Sequence, residues 1–138
     1  MKNEKGAYMK YIYTALISSN ENGTKYYARI PDLPGCITTG KTLQDAVEQI
    51  TDAASIWLVD AEDHDEPEIK ATPQTEIKSE DNEIKTLIQV DTLTYRSRID
   101  TKSVRKNVSL PAWLANMADK RGINCSQVLQ EGLMSKLG

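Results

Sequence analysis

Arg105, Asn107 and Ser109 occupy every second position of the stretch VRKNVSL. On an extended chain that spacing puts all three side chains on one face. A guanidinium, an amide and a hydroxyl are the groups that match donors and acceptors on base edges in the major groove of DNA. Val104, Val108 and Leu110 fall on the other face, which can rest on helices. Two such strands paired antiparallel make a ribbon that fits the groove. Lys106 breaks the alternation, since it sits on the apolar face; its expected place is near the ribbon's end, with its ammonium on a phosphate.

The residues that follow would position this strand. Pro111 suits the first turn of a helix, Leu114, Met117 and Ala118 recur at helical spacing, and Gly122 ends the run after Lys120 and Arg121. Asn124 is a good N-cap for a second helix with Val128, Leu129, Leu133 and Leu137 on its apolar face. Its N-terminus, with Asn124 and the hydroxyl of Ser126, is a ready phosphate anchor. One strand and two short helices make a core too thin to close without a second copy. The order resembles a ribbon-helix-helix domain, which implies a homodimer that lays its paired strands on operator double-stranded DNA. A helical hairpin that only dimerises is the other reading of the same residues.

Charge divides the chain in the same place. Residues 101–138 carry six basic and two acidic groups, a net +4, whereas residues 1–100 carry 11 basic and 18 acidic groups, a net −7. A basic end suits phosphate, and an acidic body prefers a basic partner. Cys36 and Cys125 have no CxxC spacing and read as free thiols. No apolar run is long enough to span a membrane, so the expected location is cytoplasmic.

The N-terminal part reads as strands and one helix. Residues 8–18 are rich in Tyr, Ile, Thr and Leu, Asn22-Gly23 offers the positive-φ pair of a tight hairpin turn, and residues 26–30 return as a strand. A rigid loop at 31–35 and a short strand at 36–39 follow. Thr42 with Asp45 makes a capping-box pattern for a helix in which Leu43, Ala46, Val47, Ile50, Ala54, Trp57 and Leu58 keep the 3.6-residue period. Residues 71–83 read as a polar loop and 84–90 as the fourth strand. The expected fold is α+β, a small antiparallel sheet covered by one helix, with residues 1–91 as this domain, 92–103 as a linker with a short helical turn near Tyr95, and 104–138 as the ribbon-helix-helix module.

Tyr26, Tyr27, the PDLPGC loop from Pro31 to Cys36, Gly40, Thr42 and the small-residue helix after it resemble the HicB antitoxin family. Lys41 departs from the pattern, standing where the family often has an acidic residue. The resemblance implies an antitoxin that covers the site of a HicA-like toxin, a small basic protein that cleaves messenger RNA using a histidine. It also implies a DNA-binding tail that represses the shared promoter. The expected toxin contacts are Asp32, Leu33 and Pro34 in the loop and Asp60, Asp63 and Asp65 in the acidic run DAEDHDEPE. That run also reads more simply as a solvated turn.

Catalysis has little support. His64 is the only histidine and sits among acids, Asp32 reads as a turn-former between two prolines, and GxGxxG, GxxxxGK[ST] and GxSxG are absent. The carboxylates of Asp60, Asp63, Asp65 and Glu66 lack the glycine turn and terminal Glu of a calcium loop. No cofactor or metal is expected. Two other functions stay open: a ligand-sensing ribbon-helix-helix repressor without a toxin, and a metal-dependent nuclease using N-terminal carboxylates.

Overall fold

The computed structural model describes residues 10–138, so Tyr8 and Met9, the start of the expected first strand, lie outside the described residues. The chain runs β1 (Lys10–Ser19), β2 (Tyr26–Arg29), β3 (Ile37–Gly40), α1 (Leu43–Asp63), a 3-10 turn (Gln74–Glu76), β4 (Ile84–Asp91), α2 (Thr92–Ile99), α3 (Ala112–Lys120) and α4 (Cys125–Leu137). The sheet order is β3-β2-β1-β4, and every neighbouring pair is antiparallel. With α1 packed on one face, this is an α+β arrangement of one sheet and a covering helix.

Alternation on β1 sets the inner face. Tyr11, Tyr13, Ala15 and Ile17 are buried with Ala28, Ile30, Ile88 and Val90, against Ala46, Ile50, Ala54 and Leu58 of α1. The hairpin between β1 and β2 is longer than the expected two-residue turn, because Gly23 alone has positive φ there (65°). Asn20 organises the longer loop: its Oδ1 accepts the Thr24 and Lys25 N–H groups at 2.9 and 3.2 Å.

Thr42 caps α1 as expected, with Oγ1 accepting the Asp45 N–H at 3.0 Å. The reciprocal bond differs from a capping box, since Asp45 Oδ2 accepts the N–H of Lys41 at 2.9 Å rather than that of Thr42. Gly40 is where β3 meets the helix. A Cβ at Gly40 would lie 2.4 Å from the Ala46 nitrogen and 2.7 Å from its Cα, and backbone atoms cannot move aside cheaply. Gly40→Ala should therefore lower stability by about 1–3 kcal/mol, the usual range for overpacking, read as a fall in the urea midpoint without a change in slope.

The other face of the sheet is partly covered. Leu16 is fully buried and points away from α1, between its register partners Arg29 and Lys85. Both partners reach into the segment read as a polar loop: Lys85 Nζ donates to the Gln74 carbonyl at 3.1 Å, and Arg29 forms a two-pronged bond with Glu83 at 2.9 and 2.8 Å. These ties draw residues 71–83 across the sheet, and Ile77 is buried with them.

The Arg29 hydrogen bonds hold the Glu83 carboxyl below the usual carboxylate range. A depressed folded value stabilises the protein above the ordinary carboxylate pKa and is lost as pH falls through the depressed value. Glu83→Gln should lower stability at neutral pH and flatten the loss on acidification below about pH 5, measured as melting temperature against pH.

Residues 92–99, inside the stretch expected as a linker, form more than a single turn. Asp91 caps α2, its Oδ1 accepting the Thr94 N–H at 3.2 Å, and Thr92 is fully buried. Arg96 then ties α2 to α1.

Candidate functional site

Two surfaces carry the residues singled out by the sequence. The first is the C-terminal part. Pro111 precedes α3, and the helix ends in a Schellman motif: Gly122 at φ 65° donates to the Asp119 carbonyl, and Ile123 to the Ala118 carbonyl, at 3.1 and 3.0 Å. Asn124 caps α4, its Oδ1 accepting the Gln127 N–H at 3.1 Å, so its side chain holds the helix start. Residues 104–110 carry no strand in the single chain, since a strand is defined by the ladder it makes with a partner.

No residue from 101 to 138 is buried. Val104, Val108, Leu110, Leu114 and Leu133 are 83, 57, 47, 41 and 50 % exposed, and Trp113, absent from the sequence reading, is 67 % exposed. Arg105, Lys106 and Asn107 line one open groove with Ser126, Leu129, Gln130 and Leu133 of α4. Ser109 is exposed outside that groove. The extended segment thus lies along α4 and gathers four of the six expected DNA contacts.

The second surface joins the PDLPGC loop to the end of α1. Leu33 is buried at 1 % exposure and belongs to the core. It holds the loop in place and has no surface to offer a partner. Asp32 is committed to structure as well: its carboxylate accepts the Thr72 N–H and Oγ1 at 2.8 and 2.7 Å. Pro34 is exposed, and its carbonyl accepts the Trp57 indole N–H at 3.0 Å. That bond ties the loop to Trp57 of α1, 23 residues on in the chain and just ahead of the acidic run.

Within the acidic run the carboxylates have different work. Asp63 accepts Arg96 Nη2 at 2.8 Å. Asp60 is exposed beside His64, whose ring Nδ1 lies 2.8 Å from the Asp60 carbonyl oxygen. That carbonyl, followed by the Asp60 charge, raises the His64 pKa. Asp65 takes the one positive φ of a non-glycine among the described residues, 51°, where the chain leaves the helix. Among the described residues no group of three or more His, Cys, Asp and Glu side chains is arranged to hold a metal ion, and no helix is long and apolar enough to cross a membrane.

Sequence reasoning missed Glu62. Its side chain is 4 % exposed, and it accepts the Tyr11 and Thr92 hydroxyls at 2.7 and 2.8 Å and Arg96 Nη2 at 3.1 Å. One carboxylate therefore joins α1, β1 and α2 under the acidic end of the helix. The signal was present: Glu62 continues the i, i+4 series of Ala46, Ile50, Ala54 and Leu58. Nearby, burial and then the negative charges of Glu68 and Asp32 push the Tyr13 phenol up to about 12. It stays protonated and donates to the Ile69 carbonyl at 2.6 Å.

Known proteins share this architecture. A chain of a toxin–antitoxin complex from Streptococcus pneumoniae superposes with a TM-score of 0.59 at 19 % identity, over 93 % of this chain and 99 % of that one. The antitoxin HicB of Burkholderia pseudomallei superposes with a TM-score of 0.53 at 20 % identity, over 93 % and 99 %. In sequence, a UPF0150 protein of Thermoplasma acidophilum is 37 % identical over 54 residues, 39 % of this chain and 77 % of that protein. A UPF0150 protein of Helicobacter pylori is 37 % identical over 51 residues, 37 % and 68 % of the two chains. The family model described as HicB_like antitoxin of bacterial toxin-antitoxin system matches residues 13–137. That match takes in the sheet, the acidic helix end and both C-terminal helices, and by it the chain belongs to the HicB-like antitoxin family.

Proposed function

We propose that this antitoxin neutralises a HicA-like, RNA-cleaving toxin with its acidic α+β part, and represses its own operon through a dimeric ribbon-helix-helix module at residues 104–138. The observation that carries the second half is the exposure of the whole C-terminal apolar set beside Arg105, Asn107 and Ser109. Two short helices and an extended segment with no buried residue need a partner surface, and a second copy supplies one of matching shape. The paired segments would then form a two-stranded ribbon with Arg105, Asn107 and Ser109 against base edges. Lys106, Asn124 and Ser126 would meet phosphates, Asn124 through its backbone at the helix start.

The acidic part supports the toxin half. A protein that grips RNA presents a positive face, and the net −7 over residues 1–100 complements it. Pro34, Asp60, Asp63 and Asp65 are the expected contacts with exposed surface, while Asp32 and Leu33 shape the loop. The coupling of Asp63 to Arg96 leaves it a smaller share in toxin contact.

The double variant Arg105→Ala with Asn107→Ala tests the division of labour. Specific operator binding should fall by roughly 100-fold or more, since a good bidentate base contact is worth about 1–3 kcal/mol and the dimer carries each twice. Toxin neutralisation should be unchanged. A folded double variant that loses both activities would show that one surface serves both. Binding of the parent protein should also weaken about a thousandfold between roughly 50 and 200 mM salt if about six phosphates are contacted.

A further inference from the structure

We infer that the groove between the last turns of α1 and residues 66–69 captures an arginine side chain of the toxin, an inference that rests on the antitoxin reading above. Its walls are Trp57, Ala61, Pro67 and Ile69, and its rim carries Asp60, Glu66 and Glu68. The walls are apolar and the three rim residues are exposed. Among the described residues no Lys, Arg or His lines it.

Charge decides the class of occupant. Three carboxylates around an apolar slot concentrate negative potential at its mouth, which favours a cation carried on an apolar stem. The Trp57 ring decides between the two candidates. A guanidinium is planar and weakly hydrated, so it stacks on an indole at lower desolvation cost than a compact ammonium. Its five donors also exceed the three of an ammonium, which suits a rim with several carboxylates.

The slot is already formed. Trp57 is held by the Pro34 carbonyl at 3.0 Å, and the facing wall by Tyr13 on the Ile69 carbonyl at 2.6 Å. Just beyond that wall, Asp32 fixes Thr72 through two bonds at 2.8 and 2.7 Å. These contacts cross 23 to 56 residues of sequence, so the walls do not depend on the occupant for their shape. Glu62, which also lines the groove, is engaged by Tyr11, Thr92 and Arg96. It fixes the base of the groove and leaves Glu66 and Glu68 to the ligand, with Asp60 shared with His64.

The test has two arms on the full-length protein. In the first, nitrogen-15 labelled protein is titrated with acetyl-Gly-Arg-Gly-amide and with its citrulline analogue. The Trp57 indole N–H resonance should move with the arginine peptide and not with the neutral one, while Trp113 stays put. Asp60→Asn, Glu66→Gln and Glu68→Gln combined should abolish the movement without lowering the melting temperature. A Trp57 resonance that ignores the arginine peptide overturns the inference. In the second arm, the affinity of the triple variant for the HicA-like protein of the same genome should drop by roughly 30-fold or more, as expected for a desolvated charge contact. Unchanged affinity overturns the arginine slot and leaves the antitoxin reading standing. Absence of toxin binding by the parent protein sinks the antitoxin reading, and the peptide arm then decides the groove alone.

Discussion

Leu133→Asp should convert the protein to a monomer that no longer binds operator DNA, with operator affinity lowered by about three orders of magnitude or more. Leu133 lies on α4 in the stripe with Val128, Leu129 and Leu137, all of them exposed in the single chain. In the proposed dimer this stripe becomes core. Symmetry buries the new carboxylate twice, and an unpaired buried charge costs several kcal/mol after relaxation. Because each monomer supplies one strand of the ribbon, the monomer offers half the base contacts and no groove-filling ribbon. Sedimentation velocity and a mobility-shift titration read both consequences. The acidic α+β part should still neutralise toxin, since its core shares no residue with this stripe. A variant that remains dimeric, or a monomer that keeps full operator affinity, would contradict the proposed module.

Glu62→Ala should destabilise the N-terminal part by about 3–5 kcal/mol, the cost of removing one partner from a buried ionic cluster. The substitution strands the Tyr11 and Thr92 hydroxyls, which donate to Glu62 at 2.7 and 2.8 Å in a site with little solvent. It also removes a buried carboxylate that holds Arg96, while the bond to Asp63 at 2.8 Å remains. Each stranded polar group costs on the order of 1–3 kcal/mol. Glu62→Gln keeps an acceptor for one hydroxyl and should recover part of the loss. Urea unfolding gives the ranking directly: parent, then Gln, then Ala. An Ala variant as stable as the parent would mean that Glu62 is not the joint between α1, β1 and α2.

The sequence was most legible where local chemistry decides structure. Thr42 and Asp45 mark the start of α1, Gly122 the end of α3 and Asn124 the start of α4, because caps act within a few residues. The α1 stripe was legible to Leu58 and then lost, because the next residue on that face is a carboxylate. A period counted only over apolar residues stops at Glu62, although the helix runs on to Asp63. Residues 71–83 looked featureless for a related reason: their place is set by Arg29 and Lys85 reaching from the sheet. The hairpin turn was misjudged because Asn20, outside the expected turn pair, closes the loop. The joining of the two regions proposed to meet the toxin was invisible in sequence. Trp57 on the Pro34 carbonyl and Asp32 on Thr72 are long-range contacts with no spacing rule behind them. The apolar set of α3 and α4 had the opposite character: its helical period was plain, and what the single chain adds is that every large member of that set stays exposed.

Growth rescue reads neutralisation in living cells. The HicA-like protein of the same genome would be expressed alone, then with the full-length antitoxin, then with the Arg105→Ala, Asn107→Ala form. The antitoxin account predicts arrest by the toxin alone and full relief by both forms, with the toxin co-purifying on each. Persistent arrest in the presence of soluble, full-length antitoxin would contradict it.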